Sequence, residues 1–364
     1  MKMESKEAIS GFSDNPFMIG YDNRIFEGDE DLGFRFSEGN LVGIDSFVSL
    51  DSVVNDVKWK TGYPVIINIG DSSTSGWNGN KVFKGNEDPN APFFTYKTYS
   101  DILREHPTYQ NTVNAGIPGY TSLQGRKYLE RILKRFSREG VQVDYVTLYF
   151  GNNDSTYNQF EDKVRLDGKV ESQESNGERV TVEDYKKNLE HMINITREYG
   201  ARPIIIIPPI HYDWEPGIRS DAHRGESLEV LKQIEGTELA KELDLARQAY
   251  NNRDYQRACE LDRVLPRLKL NYRKALRKVG KKTRTPIIDV QKIISFTDNG
   301  EYFADYCHPL EKTNRAISEQ IIAIRNRDIF HKPISKRVRE FISGFKEDKK
   351  KDRGTPPSDI YTLH

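Results

Sequence analysis

The sequence predicts an α/β protein: a three-layer α/β/α sandwich around a central, mainly parallel sheet of about five strands. Two observations carry this. Short β-branched runs bounded by Gly or Pro recur along the chain, and amphipathic helical periods lie between them. That alternation is the mark of βαβ units and of a parallel sheet covered on both faces. A third observation adds an insertion: one interval between strands is far longer than a crossover needs and reads as helix throughout.

Residues 1–60 are rich in Asp, Asn, Gly, Ser and Phe with weak periodicity. They read as an irregular preface with a short strand or turn at Asp31-Leu32-Gly33-Phe34-Arg35-Phe36. Pro64-Val65-Ile66-Ile67-Asn68-Ile69-Gly70 is a buried strand. Thr112-Val113-Asn114, Asp144 to Phe150, Arg202 to Pro208 and Pro286 to Val290 are the next strands. Helices are expected over Ser122 to Glu139, Tyr185 to Tyr199 and Glu311 to Arg325, each with its apolar residues gathered on one face. The α/β domain thus spans 61–331, with 209–285 as a helical cap inserted over one end of the sheet. Residues 332–364, with Lys349-Lys350-Lys351 and Pro356-Pro357, form a charged tail beyond one short helix around Val338 to Phe345.

Composition narrows the function. The 364 residues carry 55 Lys+Arg against 55 Asp+Glu, a balance that argues against a dedicated nucleic-acid binder. The longest apolar run, Ile204 to Ile207, is strand-sized, so no integral membrane segment is expected. Met1-Lys2-Met3-Glu4-Ser5-Lys6-Glu7 is not a secretory signal, and two cysteines exclude a disulfide framework. The expectation is a soluble, cytoplasmic protein.

Four segments sit at strand ends or before a helix: Gly70-Asp71-Ser72-Ser73-Thr74, Asn114 to Thr121, Gly151-Asn152-Asn153-Asp154, and Asp305-Tyr306-Cys307-His308-Pro309. Together they supply what serine acyl transfer requires: a nucleophile, a base, a carboxylate that orients the base, and donors for the developing oxyanion. Ser72 is the candidate nucleophile, His308 the base and Asp305 the orienting carboxylate. The Ser72 and Gly119 N–H groups and the Asn153 amide are the candidate oxyanion hole.

On these residues the sequence resembles the SGNH hydrolases, also called GDSL esterases or lipases. That family is named for a serine, a glycine, an asparagine and a histidine in four blocks. Its serine block is matched by Gly70-Asp71-Ser72, and its Gly-x-Asn-Asp block by Gly151 to Asp154. Its Asp-x-x-His block is matched by Asp305 to His308. Its glycine closes a block like Asn114 to Gly119, which puts that role on Gly119 rather than Gly116. The likeness covers roughly residues 62–331; Ser73 departs from the commonest first block. The resemblance implies an ester hydrolase in which Ser72 attacks the carbonyl and water releases the acyl-enzyme, with no metal or organic cofactor. A lipid or carbohydrate ester is a fitting substrate.

Each residue also has a plainer role. Ser72 suits a helix N-cap, Asn153 an Asx turn, Gly119 a simple turn, and Asp71 and Asp154 loop bracing. Cys307 is expected to be packed or partly exposed, and Cys259 to be a buried small hydrophobe. The remaining histidines lack metal-ligand spacing, and neither a dinucleotide fingerprint nor a Walker A run is present. The G-x-S-x-G elbow of α/β-hydrolases is also absent. Trp77 is a candidate wall of the substrate pocket or a core aromatic. Arg263 and Arg267 are candidates to bind a substrate carboxylate or phosphate, or else ordinary ion pairs. An acyltransferase on the same residues is the first alternative, since a dry, capped site favours transfer. A non-catalytic binding module on a hydrolase fold is the second.

Overall fold

The structure, a computed structural model, describes residues 26–29, 31–36, 62–76, 97–156, 178–218, 224–232, 234–294 and 299–330. Trp77, the expected helix at 338–345, the tail from 332 and most of the preface lie outside them. The chain divides into two compact units, Met1–Glu319 and Gln320–His364; the sheet and the candidate site belong to the first.

Within the preface, β1 (Phe26–Asp29) and β2 (Gly33–Phe36) pair as an antiparallel hairpin. The central sheet is β3 (Ile66–Gly70), β4 (Thr112–Gly116), β5 (Tyr145–Tyr149), β6 (Arg202–Ile207) and β7 (Ile287–Asp289). These five strands are all parallel, in the order β4-β3-β5-β6-β7. The expected sheet is therefore present, and the order reverses direction at β3. In open parallel sheets that reversal leaves a crevice at the strand C-termini where ligands bind. Gly70 is level with Gly116 on one side and Tyr149 on the other, so three strands end together and their following loops share one edge.

Alternation along β3 defines two faces. Ile67 and Ile69 enter the main apolar core, whereas Asn68 donates from Nδ2 to Ser100 Oγ, 2.9 Å away, on the other side. Short α1 (Ser72–Ser75) follows β3 directly. α2 (Tyr99–Glu105) carries Ser100 and is entered through a Thr98–Asp101 capping box. On the core face lie α3 (Ser122–Arg138) and α4 (Val182–Glu198), close to their expected limits. Gln124 Oε1 accepts the Thr121 N–H at 2.9 Å and starts α3; Thr181 Oγ1 accepts the Asp184 N–H at 3.2 Å and starts α4. The hairpin rests on α3: Leu32 is buried, its carbonyl accepts from Gln124 Nε2 at 2.8 Å, and Arg131 forks onto Asp29 at 2.6 and 3.0 Å.

The inserted interval contains α5 (Arg224–Lys232), α6 (Glu238–Asn251), α7 (Tyr255–Leu261) and α8 (Leu270–Thr283). The expectation that the cap runs to 285 needs correction. Tyr272, Ala275, Leu276 and Val279 of α8 lie in the main core beside residues of α4 and β6. α8 is thus the β6–β7 crossover helix, and the insertion ends before Leu270. Upstream, Leu231, Ile234, Leu239, Leu243 and Val264 form a separate small core, which lets α5 and α6 pack as a unit of their own. After β7 come α9 (Asn299–Tyr302) and α10 (Glu311–Phe330); the latter crosses the boundary between the two units. No helix of the described residues is long and apolar enough to cross a membrane.

Candidate active site

Ser72 is the first residue of α1, and Asp71 is its N-cap: Asp71 Oδ1 accepts the Ser73 N–H at 2.9 Å. The predicted plain role at this turn therefore falls to Asp71, leaving the Ser72 side chain at the sheet edge. Much later in the chain, Asp305 closes a tight turn. Its Oδ1 accepts the backbone N–H of Cys307 and of His308, both at 2.9 Å. An antiparallel bridge between Phe303 and Pro309 and the bond from Ala304 N–H to His308 O at 2.8 Å hold the turn's base. The ring of His308 is thereby folded back on Asp305. Nδ1 stands 2.6 Å from Asp305 Oδ2, and Nε2 stands 2.8 Å from Ser72 Oγ. An ionised carboxylate only accepts, so Nδ1 carries a hydrogen, and in the neutral ring Nε2 is free to accept from the serine.

Both members of the Asp305–His308 pair are buried, at 4% and 8% exposure. Burial alone would depress the His308 pKa, but the Asp305 charge, Cys307 and their hydrogen bonds outweigh it and hold the imidazole well above its ordinary value. Burial alone would raise Asp305; the His308 charge and three hydrogen bonds reverse this and keep the carboxyl below its ordinary value. Cys307 is buried, 3.8 Å from His308 Nδ1, and burial pushes its thiol up to about 11. It is a packed neutral thiol beside the pair. Among the described residues, Asp305, Cys307 and His308 are the group whose ligand atoms lie close enough to hold a metal ion, within 4.8 Å of one another. Here Nδ1 and Oδ2 are committed to each other.

Three donors were expected near Ser72. The Ser72 and Gly119 N–H groups have no acceptor among the described residues. Gly119 has φ +79°, a left-handed conformation that glycine adopts without strain. Gly116 serves differently: a Cβ there would lie 2.8 Å from the Thr74 carbonyl carbon, so β4 and α1 touch through it. Asn153 Nδ2 donates to Tyr120 O at 3.0 Å and lies 3.5 Å from Asp71 Oδ2, leaving its second hydrogen weakly held. Asp154 Oδ1 accepts the Ser122 N–H at 2.9 Å and so braces the start of α3. Burial raises Asp71 to about 7 and Asp154 to about 6.

The substrate-binding candidates fare differently. Trp77 lies outside the described residues. Arg267 is 1% exposed, and its guanidinium is engaged within the protein. Its Nη2 pairs with buried Asp262 at 2.6 Å, and its Nη1 donates to His211 O and Trp214 O at 3.3 and 3.4 Å. A buried guanidinium requires such partners, and these hold the cap's last turn to the loop after β6. That turn also reaches the site loop: Ser155 Oγ donates to Arg267 O at 2.8 Å, and Leu268 N–H donates to Asn152 Oδ1 at 3.1 Å. Arg263 is half-buried between Glu178 and Glu242, at 3.7 and 3.5 Å.

Two neighbours escaped the sequence reading. His211 Nδ1 donates to the Asp305 carbonyl at 2.9 Å, its ring stacked on Phe303 with centroids 4.9 Å apart. Arg179 Nη1 donates to Gly119 O at 3.0 Å. Neither lies in a block with local spacing, so only the folded arrangement reveals them.

An open parallel sheet thus carries a hydroxyl, an imidazole and a carboxylate in one hydrogen-bonded row at its C-terminal edge. The family model described as the GDSL-like lipase/acylhydrolase family matches residues 69–316, and the chain belongs to that family. Solved structures similar to it include a GDSL-like lipase from Bacteroides thetaiotaomicron, at 13% identity over 76% of this chain and 95% of that one, TM-score 0.40. A lipase/acylhydrolase from Enterococcus faecalis shares 19% identity over 72% of this chain and 96% of that one, TM-score 0.40. An acetylxylan esterase from Geobacillus stearothermophilus, solved as a catalytic mutant, shares 16% identity over 73% and 95%, TM-score 0.35. No curated protein matches the chain.

Proposed function

We propose that this chain is a serine esterase that cleaves a carboxylic ester through an acyl-enzyme. The observation that carries it is the row Ser72 Oγ–His308 Nε2 at 2.8 Å and His308 Nδ1–Asp305 Oδ2 at 2.6 Å. Ser72 Oγ attacks the acyl carbon as Nε2 takes its proton. Asp305 orients the ring and stabilises the imidazolium. The carbonyl oxygen becomes an oxyanion and is met by the Ser72 and Gly119 N–H groups and the second Asn153 amide hydrogen. The imidazolium returns its proton to the leaving alkoxide. Water, deprotonated by Nε2, then attacks the acyl-enzyme and releases the acid. A small-molecule, lipid or carbohydrate ester supplies such an acyl group.

The test is a fluorophosphonate that labels activated serines, with p-nitrophenyl, acetylated-sugar and acyl-thioester substrates alongside. Label on Ser72 and ester turnover that Ser72→Ala abolishes, at unchanged circular dichroism, are expected. Turnover that survives in Ser72→Ala removes Ser72 from the mechanism. Acid and no transacylated alcohol in the product separates hydrolysis from acyl transfer.

A further inference from the structure

The two loops that hold the oxyanion donors are tied to each other. On one side lies the turn Ile117-Pro118-Gly119-Tyr120, closed by the bond from Tyr120 N–H to Ile117 O at 3.2 Å. Proline second and a left-handed glycine third are the pattern of a type II turn, and this one carries the Gly119 N–H. On the other side lies the Gly151–Asp154 loop with Asn153. Asn153 itself makes one tie, from Nδ2 to Tyr120 O at 3.0 Å.

Arg179 makes another. Its backbone is strapped to the Asn153 side: Arg179 N–H donates to Thr156 O at 2.9 Å, and Val180 N–H donates to Asp154 O at 3.2 Å. Its side chain crosses to the turn, where Nη1 donates to Gly119 O at 3.0 Å. The tie is charge-assisted, and such bonds are stronger than those between neutral amides.

We propose that Arg179 is a positioning residue for the oxyanion hole: it clamps the Gly119 turn to the Asn153 loop and so keeps two of the expected donors in register. The inference rests on the esterase reading above. Asn153 spends one amide hydrogen on Tyr120 O, so a turn that drifts takes the Asn153 amide with it as well as the Gly119 N–H. Donors act on the oxyanion only when held within a fraction of an ångström, and displacements near 1 Å cost about 10²-fold in rate. The substrate's ground state does not demand that precision, so the loss falls in kcat.

Arg179→Met removes the donor and keeps most of the stem. Its kcat on a p-nitrophenyl ester is expected to fall about 10–100-fold, with KM within about twofold of wild type. Affinity for an aryl boronic acid, whose tetrahedral adduct with Ser72 places an oxygen in the hole, should fall in parallel. A residue that only stabilises the fold would lower the melting temperature without this split. The Asn153→Ala/Arg179→Met double variant should lose less than the product of the two single losses, because both act through one loop pair. Rates are taken per phosphonate-titrated site, so partial unfolding does not imitate the effect. Should the Met variant not fold, Arg179→Gln serves: its head is neutral and two atoms short of the Gly119 carbonyl, and the same kcat loss is expected. A folded variant with wild-type kcat, or with raised KM at unchanged boronate affinity, overturns the assignment and leaves the esterase reading standing. Wild-type protein that takes no phosphonate at Ser72 overturns both.

Discussion

Asn153 carries the sharpest residue-scale prediction. Its amide is anchored on Tyr120 O at 3.0 Å, which fixes the direction of its second hydrogen. Asn153→Ala is expected to lower kcat by about 10²–10³ with little change in KM, and to slow phosphonate labelling of Ser72. Steady-state kinetics check this; a rise in KM alone assigns Asn153 to ground-state binding. His308 supports a second prediction. Nε2 accepts the Ser72 proton only when unprotonated, and Asp305 holds the imidazole pKa well above its ordinary value against the effect of burial. The kcat/KM of wild type should therefore climb with pH through that raised pKa. Asp305→Asn removes the charge, so the rising limb should move to lower pH and the plateau should drop, by less than His308→Ala loses. A limb that stays in place in Asp305→Asn shows that another group sets the base.

At the scale of elements, the position of Ser72 depends on how α1 lies against β4. A Cβ on Gly116 would sit 2.8 Å from the backbone of Thr74, and backbone yields only by moving the element it belongs to. Gly116→Ala is expected to cost about 1–3 kcal/mol in urea unfolding, the range for overpacking, and to lower activity because Ser72 opens the displaced helix. The cap depends on a buried pair. Asp262 accepts from Arg267 Nη2 at 2.6 Å and from the backbone of Gly217, Val264 and Leu265. Asp262→Ala strands the Arg267 guanidinium, and a loss of about 3–5 kcal/mol by chemical denaturation is expected. A loss under 1 kcal/mol shows that the pair is not what holds the cap's last turn.

For the whole molecule, three buried titratable groups give stability a pH slope of one sign. The carboxyl pKa values of Asp71 and Asp154 are raised by burial to about 7 and about 6 from 3.8. The folded state then binds more protons than the unfolded one between those values, so both groups withdraw stability as pH rises from about 4 to about 7. His308 is raised too: its contribution is full below an unfolded pKa of about 6.5 and fades as pH climbs through the folded value. All three slope the same way. The urea midpoint should fall from pH 5 to pH 9, and Asp71→Asn, which keeps a capping oxygen, should flatten the slope between pH 4 and pH 7. At about 1.4 kcal/mol per pKa unit, the Asp71 share reaches ~4 kcal/mol. A midpoint equally steep in wild type and Asp71→Asn contradicts this assignment.

Features confined to a few neighbouring residues were legible in the sequence. The β-branched runs became five parallel strands, three of them buried at every residue, as a sheet covered on both faces favours continuous apolar runs. The Asp-x-x-His spacing implied a carboxylate turned back on its own imidazole, because two peptide N–H groups lie within reach of a carboxyl at that offset. Gly-Asp-Ser implied a hydroxyl projecting at the strand's end, whereas the cap expected of Ser72 falls to Asp71. Contacts between distant residues had no such trace. Ser72 and His308 stand 236 residues apart, and the folded sheet sets their 2.8 Å separation. The charged, helix-prone pattern of Leu270–Thr283 suits a cap or a crossover equally; packing of Tyr272, Leu276 and Val279 in the main core decided it. An arginine reads the same on a surface or in a core, so the buried tie of Arg267 to Asp262 and the reach of Arg179 to Gly119 came only with the tertiary structure. A side chain's chemistry is written in one residue, but its partner is chosen by where the whole chain brings two distant segments together.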